Sequence, residues 1–264
     1  MPSTNPELKR PLQRSRSAPL ARSAALDAIA QVQLAEDAPQ LLERLREATI
    51  AIGVTASIYT VLLPESGAES SSLSLFACHP ALAESLCRFG RPLDHAWLRP
   101  SGVLHRGTTS RTRAPSCDVD DAASLGLARR CGFKSCLAIS APGAADLDRI
   151  EVLCLGSVRP DAFEDGNSHL MRTMARALAG ELHEWVTGRL CHSLRTSARL
   201  RNEDIQLLRF ESQGLTTKEI SLRTGISSST LDSQFRRLNV RMRCRHRKDS
   251  ARRAAAYGLL QGNL

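Results

Sequence analysis

Residues 216–231 read Thr-Thr-Lys-Glu-Ile-Ser-Leu-Arg-Thr-Gly-Ile-Ser-Ser-Ser-Thr-Leu. Thr216 followed three positions later by Glu219 has the form of a capping box, in which a hydroxyl and a carboxylate each cover an orphan amide at a helix start. The spacing predicts a short helix to about Thr224. Gly225 supplies a tight turn, Ile226 can plug the core between two helices, and Ser227 is a second N-cap, opening a helix through about Met242. Short helix, glycine turn, longer helix is the helix-turn-helix pattern. Just upstream, Asn202 to Gln213 carries Ile205, Leu208 and Ser212 on one helical face, with Gly214 as the C-cap candidate.

Charge agrees with this placement. The chain of 264 residues has a net charge of +9, unevenly divided. Gly188 to Leu264 holds 16 Lys and Arg against 6 Asp and Glu; Ser23 to Thr187 holds 15 against 20. A basic C-terminal third behind an acidic body points to a nucleic-acid module joined to something else. The second helix can lie in the major groove, with Ser228, Ser229 and Thr230 at its start and Asp232, Gln234, Arg236 and Arg237 further along. The first helix offers Thr216, Thr217 and Lys218 at its positive end to a phosphate. Arg241 extends the groove-side helix, and Arg243, Arg245 and Arg247 follow it. Asp232 could accept a hydrogen bond from cytosine N4. Double-stranded DNA is the expected partner, and an αα-hairpin with exposed arginines is the competing reading.

Residues 200–260 resemble the C-terminal domain of LuxR-type transcription regulators. The matching residues are Leu208, Gly214, Thr216-Thr217-Lys218-Glu219-Ile220, Ile226-Ser227, Thr230-Leu231, Arg241-Met242, Arg247, Ala254 and Gly258-Leu259-Leu260, without a gap. A sigma-factor region has a similar pattern but not the Gly258-Leu259-Leu260 ending. The resemblance implies a four-helix unit whose third helix reads DNA and whose fourth contributes to dimerisation, hence a homodimer. Asp232 stands where the family usually has Lys or Arg, Gln234 where His is common, and Thr224 where a core Leu is usual.

The remaining chain reads as an α+β sensor, an antiparallel sheet with flanking helices in the PAS/GAF manner. Residues 1–22 are rich in Pro, Ser and Arg and predict a disordered basic tail. Helix is predicted from Ala24 to Gly53 with a break near Pro39, strand over Val54–Leu63 and Ser72–Cys78, and a short helix from Pro80 to Arg88. Residues 89–118 have no clear assignment. Helix over Asp121–Arg130, strands over Phe133–Ser140 and Ile150–Val158, and a long helix over Phe163–Leu190 follow. The expected division is a sensor over 23–187, a linker over 188–196 and a helix-turn-helix domain over 197–264.

Ala128 to Cys136 and Phe163-Glu164-Asp165 resemble stretches of the autoinducer-binding domain of quorum-sensing LuxR-type proteins. That pocket uses a Trp and a Tyr four residues apart, then an Asp before Pro. Anchoring on Pro80 puts Ala83 and Cys87 at the aromatic positions; anchoring on Asp94 puts Ala81 and Ser85 there. Asp94 and Trp97 are the candidate ligand residues, with a helix cap and a core side chain as their competing roles. An effector, if one binds, is therefore not expected to be held in the family's standard way. Cys131 and Cys136, five apart across Gly132 with Cys117 nearby, are candidate redox thiols. His183, Cys191 and His192 lack the second spaced pair of a metal site. No Gly-x-Ser-x-Gly, P-loop or paired-carboxylate pattern stands out, so no enzyme, metal or cofactor is expected. No apolar run is long enough for a membrane span, no signal segment is evident, and the eight cysteines read as reduced cytoplasmic thiols. A thiol-based redox regulator and a module that sequesters other regulators without binding DNA are the alternative functions.

Overall fold

The computed structural model describes residues 17–64, 70–88, 98, 108–111, 119–141, 147, 149–164 and 168–261. Helices α1 (Ser17–Val32) and α2 (Ala38–Ile52) are the two parts of the helix expected to break near Pro39. The break is fixed at Asp37, whose carboxylate accepts from the Gln40 amide at 2.9 Å, with Pro39 in the first turn where a missing N–H is harmless. Gly53, at φ +88°, closes α2 in the left-handed region. Ser17–Arg22, expected in the disordered tail, forms the start of α1, where alanines favour helix and Pro19 sits near the beginning.

Strands β1 (Ala56–Pro64), β2 (Ser70–Ala77), β3 (Thr108–Arg111), β4 (Ser135–Ser140) and β5 (Ile150–Ser157) form one antiparallel sheet in the order β2-β1-β5-β4-β3. Between them lie α3 (Pro80–Arg88) and α4 (Val119–Arg130); α5 (Ser168–Ser197) follows. Side chains alternate across the sheet. Tyr59, Val61, Leu137, Ile139, Leu153 and Leu155 pack with α1, α2 and α5. Ile58, Cys136, Ala138, Val152 and Cys154 pack under Leu82 and Leu86 of α3, Leu125 and Ala128 of α4, and Phe133. Gly156 is required beneath Phe133, because a Cβ there would stand 2.4 Å from the ring.

The linker expected over 188–196 is instead the last part of α5, which runs to Ser197. No proline interrupts it, and Leu194 is buried. The connection is only residues 198–201, and it is folded down: Ala198 and Leu200 are buried and Arg199 sits at φ +48°. The C-terminal unit comprises α6 (Asn202–Ser212), α7 (Thr217–Thr224), α8 (Ser228–Arg241) and α9 (Arg247–Ala256). Ile205, Leu208, Ile220, Leu231, Phe235, Leu238, Ala251 and Ala254 form its core. No helix among the described residues is long and apolar enough to cross a membrane.

Candidate nucleic-acid interface

The cap chemistry positions α7 and α8. Thr216 Oγ1 accepts from the Glu219 amide at 3.3 Å, and Glu219 Oε2 accepts from the Thr216 amide at 2.7 Å. These amide and hydroxyl donors hold the Glu219 carboxyl below its usual range. Gly225, at φ +71°, turns the chain in the left-handed conformation that glycine adopts without Cβ strain. Ile226 packs partly buried against the core, and Ser227 Oγ accepts from the Thr230 amide at 3.3 Å.

This geometry leaves one side of α8 to solvent. Leu231, Phe235 and Leu238 face inward, while Ser228, Ser229, Thr230, Asp232, Arg236 and Arg237 are exposed. Thr216 and Lys218 are exposed at the start of α7. Gln234 is half-buried, and its Oε1 has no hydrogen-bond partner among the described residues. Arg236 and Arg237 border an open groove of about 1210 Å³ between α6, α7 and α8. Arg199, Arg201 and Arg223 border it too, and they outnumber the acidic Glu203 and Asp204, so its rim is net basic. Those three were not singled out from sequence; Arg199 and Arg201 lie in the connection before α6 and Arg223 on α7, and only the folded unit brings them to one groove.

Other cations of the segment are occupied within the protein. Arg241 does not extend the displayed face: its Nη1 donates to the Arg199 carbonyl at 2.9 Å and its Nη2 to Asp204 Oδ1 at 2.8 Å. Half-buried Thr217 accepts from Arg247 Nη1 at 2.8 Å. Arg247 Nε also stands 3.0 Å from Glu211 Oε2, an ion contact that lacks hydrogen-bond alignment. Arg243 and Arg245 remain exposed.

The helix-turn-helix unit meets the sheet unit at a buried polar seam. Arg149 and Glu151 project from the start of β5 to the face covered by α5, and both side chains are 0% exposed. Arg149 Nε donates to Glu151, and its Nη2 donates to Thr187 Oγ1 of α5. Its Nη1 donates to the Ala256 carbonyl, at the end of α9, at 2.9 Å. Glu151 also accepts from the Tyr59 hydroxyl and lies 3.0 Å from His183 Nδ1. Burial alone would raise the Glu151 carboxyl; His183, Arg149 and Tyr59 reverse that and hold it below its usual range. Burial and the Glu151 carboxylate push the Tyr59 phenol well up.

On the sensor side, Asp94 and Trp97 lie outside the described residues. The side chains that α3 sends toward the sheet are Leu82 and Leu86, fully buried, while Ala81 and Cys87 face solvent and Ala83 and Ser85 are half-buried. Cys131 opens onto a surface cleft beside Cys78, whereas Cys136 is buried with its thiol hydrogen-bonded to Cys154. The two candidate redox thiols thus have different neighbours. Cys136 pairs with Gly156 and Cys154 with Ala138, a diagonal relation. Diagonal positions lie about 7–8 Å apart, beyond ordinary disulfide reach. Burial, with Cys131 adding to it, pushes the Cys78 thiol up to about 12, which disfavours the reactive thiolate. Cys117 is outside the described residues, and among the described residues no group of three or more side chains is placed to hold a metal.

No family model matches the sequence, and no curated protein matches it. Solved structures do match. Escherichia coli SdiA aligns over 91% of this chain and 99% of its own, with TM-score 0.62 and 13% identity. SdiA in complex with octanoyl-rac-glycerol aligns over 92% and 97%, with TM-score 0.58 and 14% identity. CepR2 from Burkholderia cenocepacia, an N-acylhomoserine lactone dependent LuxR family transcription factor, aligns over 65% and 98%, with TM-score 0.50 and 16% identity. The likeness to SdiA covers about nine-tenths of the chain, the sheet unit and the helix-turn-helix unit together, and it establishes that the chain has the SdiA fold.

Proposed function

We propose that this protein is a cytoplasmic, dimeric DNA-binding transcription regulator of LuxR type and has no catalytic role. In this reading residues 197–264 read double-stranded DNA and residues 23–187 form the sensor. The observation that carries it is α8 itself, capped at Ser227 and showing Ser228, Ser229, Asp232, Arg236 and Arg237 outward beside an arginine-rimmed groove. Major-groove reading needs such an open helix face, and phosphate contact needs such a rim. Enrichment of a defined duplex from random DNA by the purified full chain, with affinity falling steeply as salt rises, is the expected result. Salt-insensitive association with no enriched sequence would overturn it and favour a regulator-sequestering role.

The sensor does not hold an acyl-homoserine lactone in the standard way. SdiA is known with octanoyl-rac-glycerol bound and CepR2 is lactone-dependent. Here the inward side chains of α3 are Leu82 and Leu86, which supply apolar wall but no donor for a lactone carbonyl. Missing donors and unfilled space each cost a ligand a few kcal/mol, roughly the difference between micromolar and millimolar binding. Common acyl-homoserine lactones are therefore expected not to raise the melting temperature at low micromolar concentration. A rise would reject this reading and direct attention to Asp94 and Trp97.

A further inference from the structure

We infer that Arg149 is a positioning residue: it pins the helix-turn-helix unit to the sensor sheet in one orientation and thereby sets the half-site spacing the protein accepts. The pin is a hydrogen bond across the unit boundary. The last carbonyls of a helix have no partner within it. At the end of α9 the Tyr257, Gly258 and Leu259 amides go back to Arg253, Ala255 and Ala254, and none uses Ala256. The Ala256 carbonyl is taken by Arg149.

Arg149 is itself held in place. Its planar fork is divided among Glu151 at Nε, Ala256 at Nη1 and Thr187 at Nη2, with His183 Nδ1 also 3.5 Å from Nη2, so the guanidinium cannot turn without leaving a buried donor unmet. Glu151 is fixed in turn by Tyr59 and His183. The backbone closes on the same place: a Cβ at Gly258, which sits at φ +80°, would stand 2.5 Å from Thr187 Cγ2.

A second attachment exists at the other end of the unit. Arg241 ties α8 to the Arg199 carbonyl and to Asp204, and Arg195 Nη2 donates to Asn202 Oδ1. An elbow alone permits rotation about itself. An elbow and a distant pin together remove that rotation, while α8 keeps its exposed face outward. In a dimer, two units so fixed hold their reading helices at one separation, and DNA repeats its groove every 10–10.5 bp or so.

The orientation half of this inference stands on geometry; the spacing half rests on the DNA-binding reading above. Two routes open the seam in the full chain. Arg149→Met removes the pin from the sheet side. Gly258→Ala opens it from the α9 side, through the Cβ contact and the left-handed backbone strain at φ +80°, and leaves the buried charges in place; Thr187→Ser removes the opposing methyl while keeping the hydroxyl, and so relieves the contact but not the strain. Small-angle scattering should show Arg149→Met and Gly258→Ala expanded relative to wild type, with Gly258→Ala/Thr187→Ser brought back part of the way. On a duplex enriched by wild type, inserting half a helical turn between half-sites should weaken wild type about 30-fold or more, and the opened variants by about 3-fold or less. Binding to a single half-site should be unchanged. Should Arg149→Met not fold, the Gly258 pair decides alone. Folded variants that scatter like wild type overturn the pin. Variants that expand yet keep wild-type spacing discrimination overturn its role in DNA recognition. Failure of wild type to enrich any duplex would instead overturn the DNA-binding reading, leaving scattering to judge the pin.

Discussion

The two faces of the central sheet are built from different chemistry. The face under α3 and α4 is aliphatic and thiol-bearing: Ile58, Val152, Cys136 and Cys154 meet Leu82, Leu86 and Phe133. The face under α5 has an aliphatic majority too, yet at one end it buries Tyr59, Arg149 and Glu151 in a connected network. The charged end is the end that touches α9. Burying an arginine and a glutamate is costly, and an apolar pair often serves stability as well or better. A fork of directed donors does what apolar packing does poorly, since it fixes one register between two units. The contrast teaches that the first face is organised for filling and the second, at this end, for alignment.

The sharpest way to break that contrast is to remove one partner. Glu151→Leu leaves Arg149 buried without its carboxylate and should cost about 3–5 kcal/mol, whereas Arg149→Met with Glu151→Leu should cost far less. Urea melts of the three proteins decide it; equal losses would mean the pair is not coupled. On the other face Leu86→Ala should cost about 2–4 kcal/mol by cavity formation and should not alter the seam, as read by scattering.

The faces should also differ in pH response. Glu151 is held below its ordinary carboxylate range in the folded protein. The stability it brings is present above the unfolded value of about 4.3 and is lost as pH falls through the lower folded value. Stability measured from pH 6 downward should therefore fall on the acid side, and Glu151→Gln should flatten that fall.

Displayed and occupied arginines extend the comparison to DNA. Arg236→Ala should lower specific affinity by about 1–3 kcal/mol if it makes a bidentate guanine contact, with little effect on the melt. Arg241→Ala should do the reverse, weakening the fold at the elbow. Lys218→Ala should weaken all sequences alike and flatten the salt slope. A salt titration in which Arg236→Ala and Lys218→Ala both bind like wild type would reject this docking. The smallest effects belong to the caps: Thr216→Ala and Ser227→Ala should each cost about 0.5–2 kcal/mol, and unmoved urea midpoints would show that the hydroxyls contribute nothing.

What could be read from the sequence divides by range. The helix-turn-helix was legible because each of its signals closes within four residues: Thr216 with Glu219, Gly225 at the turn, Ser227 with Thr230. The strands β1, β4 and β5 were legible because each is a short, mostly apolar run. Arg241 and Arg247 looked like a cationic run beside DNA because their partners Asp204 and Thr217 lie 37 and 30 residues away. Arg149 gave no signal at all, since its acceptor at Ala256 is 107 residues away and its neighbour Glu151 reads as an outward strand residue. Cys131 and Cys136 were linked by nearness in sequence, yet the sheet ladder gives Cys136 the thiol of Cys154. The linker expected from Gly188 onward is helix because α5 has no proline before Ser197 and tolerates Gly188 in its interior.

The brevity of residues 198–201 has a kinetic side. Four residues reach at most about 13–14 Å even when extended. When a helix-turn-helix unit lets go of the sheet, the start of α6 thus stays within about that reach of the end of α5, and the docking end of α9 can swing no further than the unit's own length. Its return is a first-order event, governed by an effective concentration in the millimolar range or so. A seam facing such a local concentration needs few contacts to stay mostly closed, and a free domain added in solution at micromolar concentration would compete for it poorly.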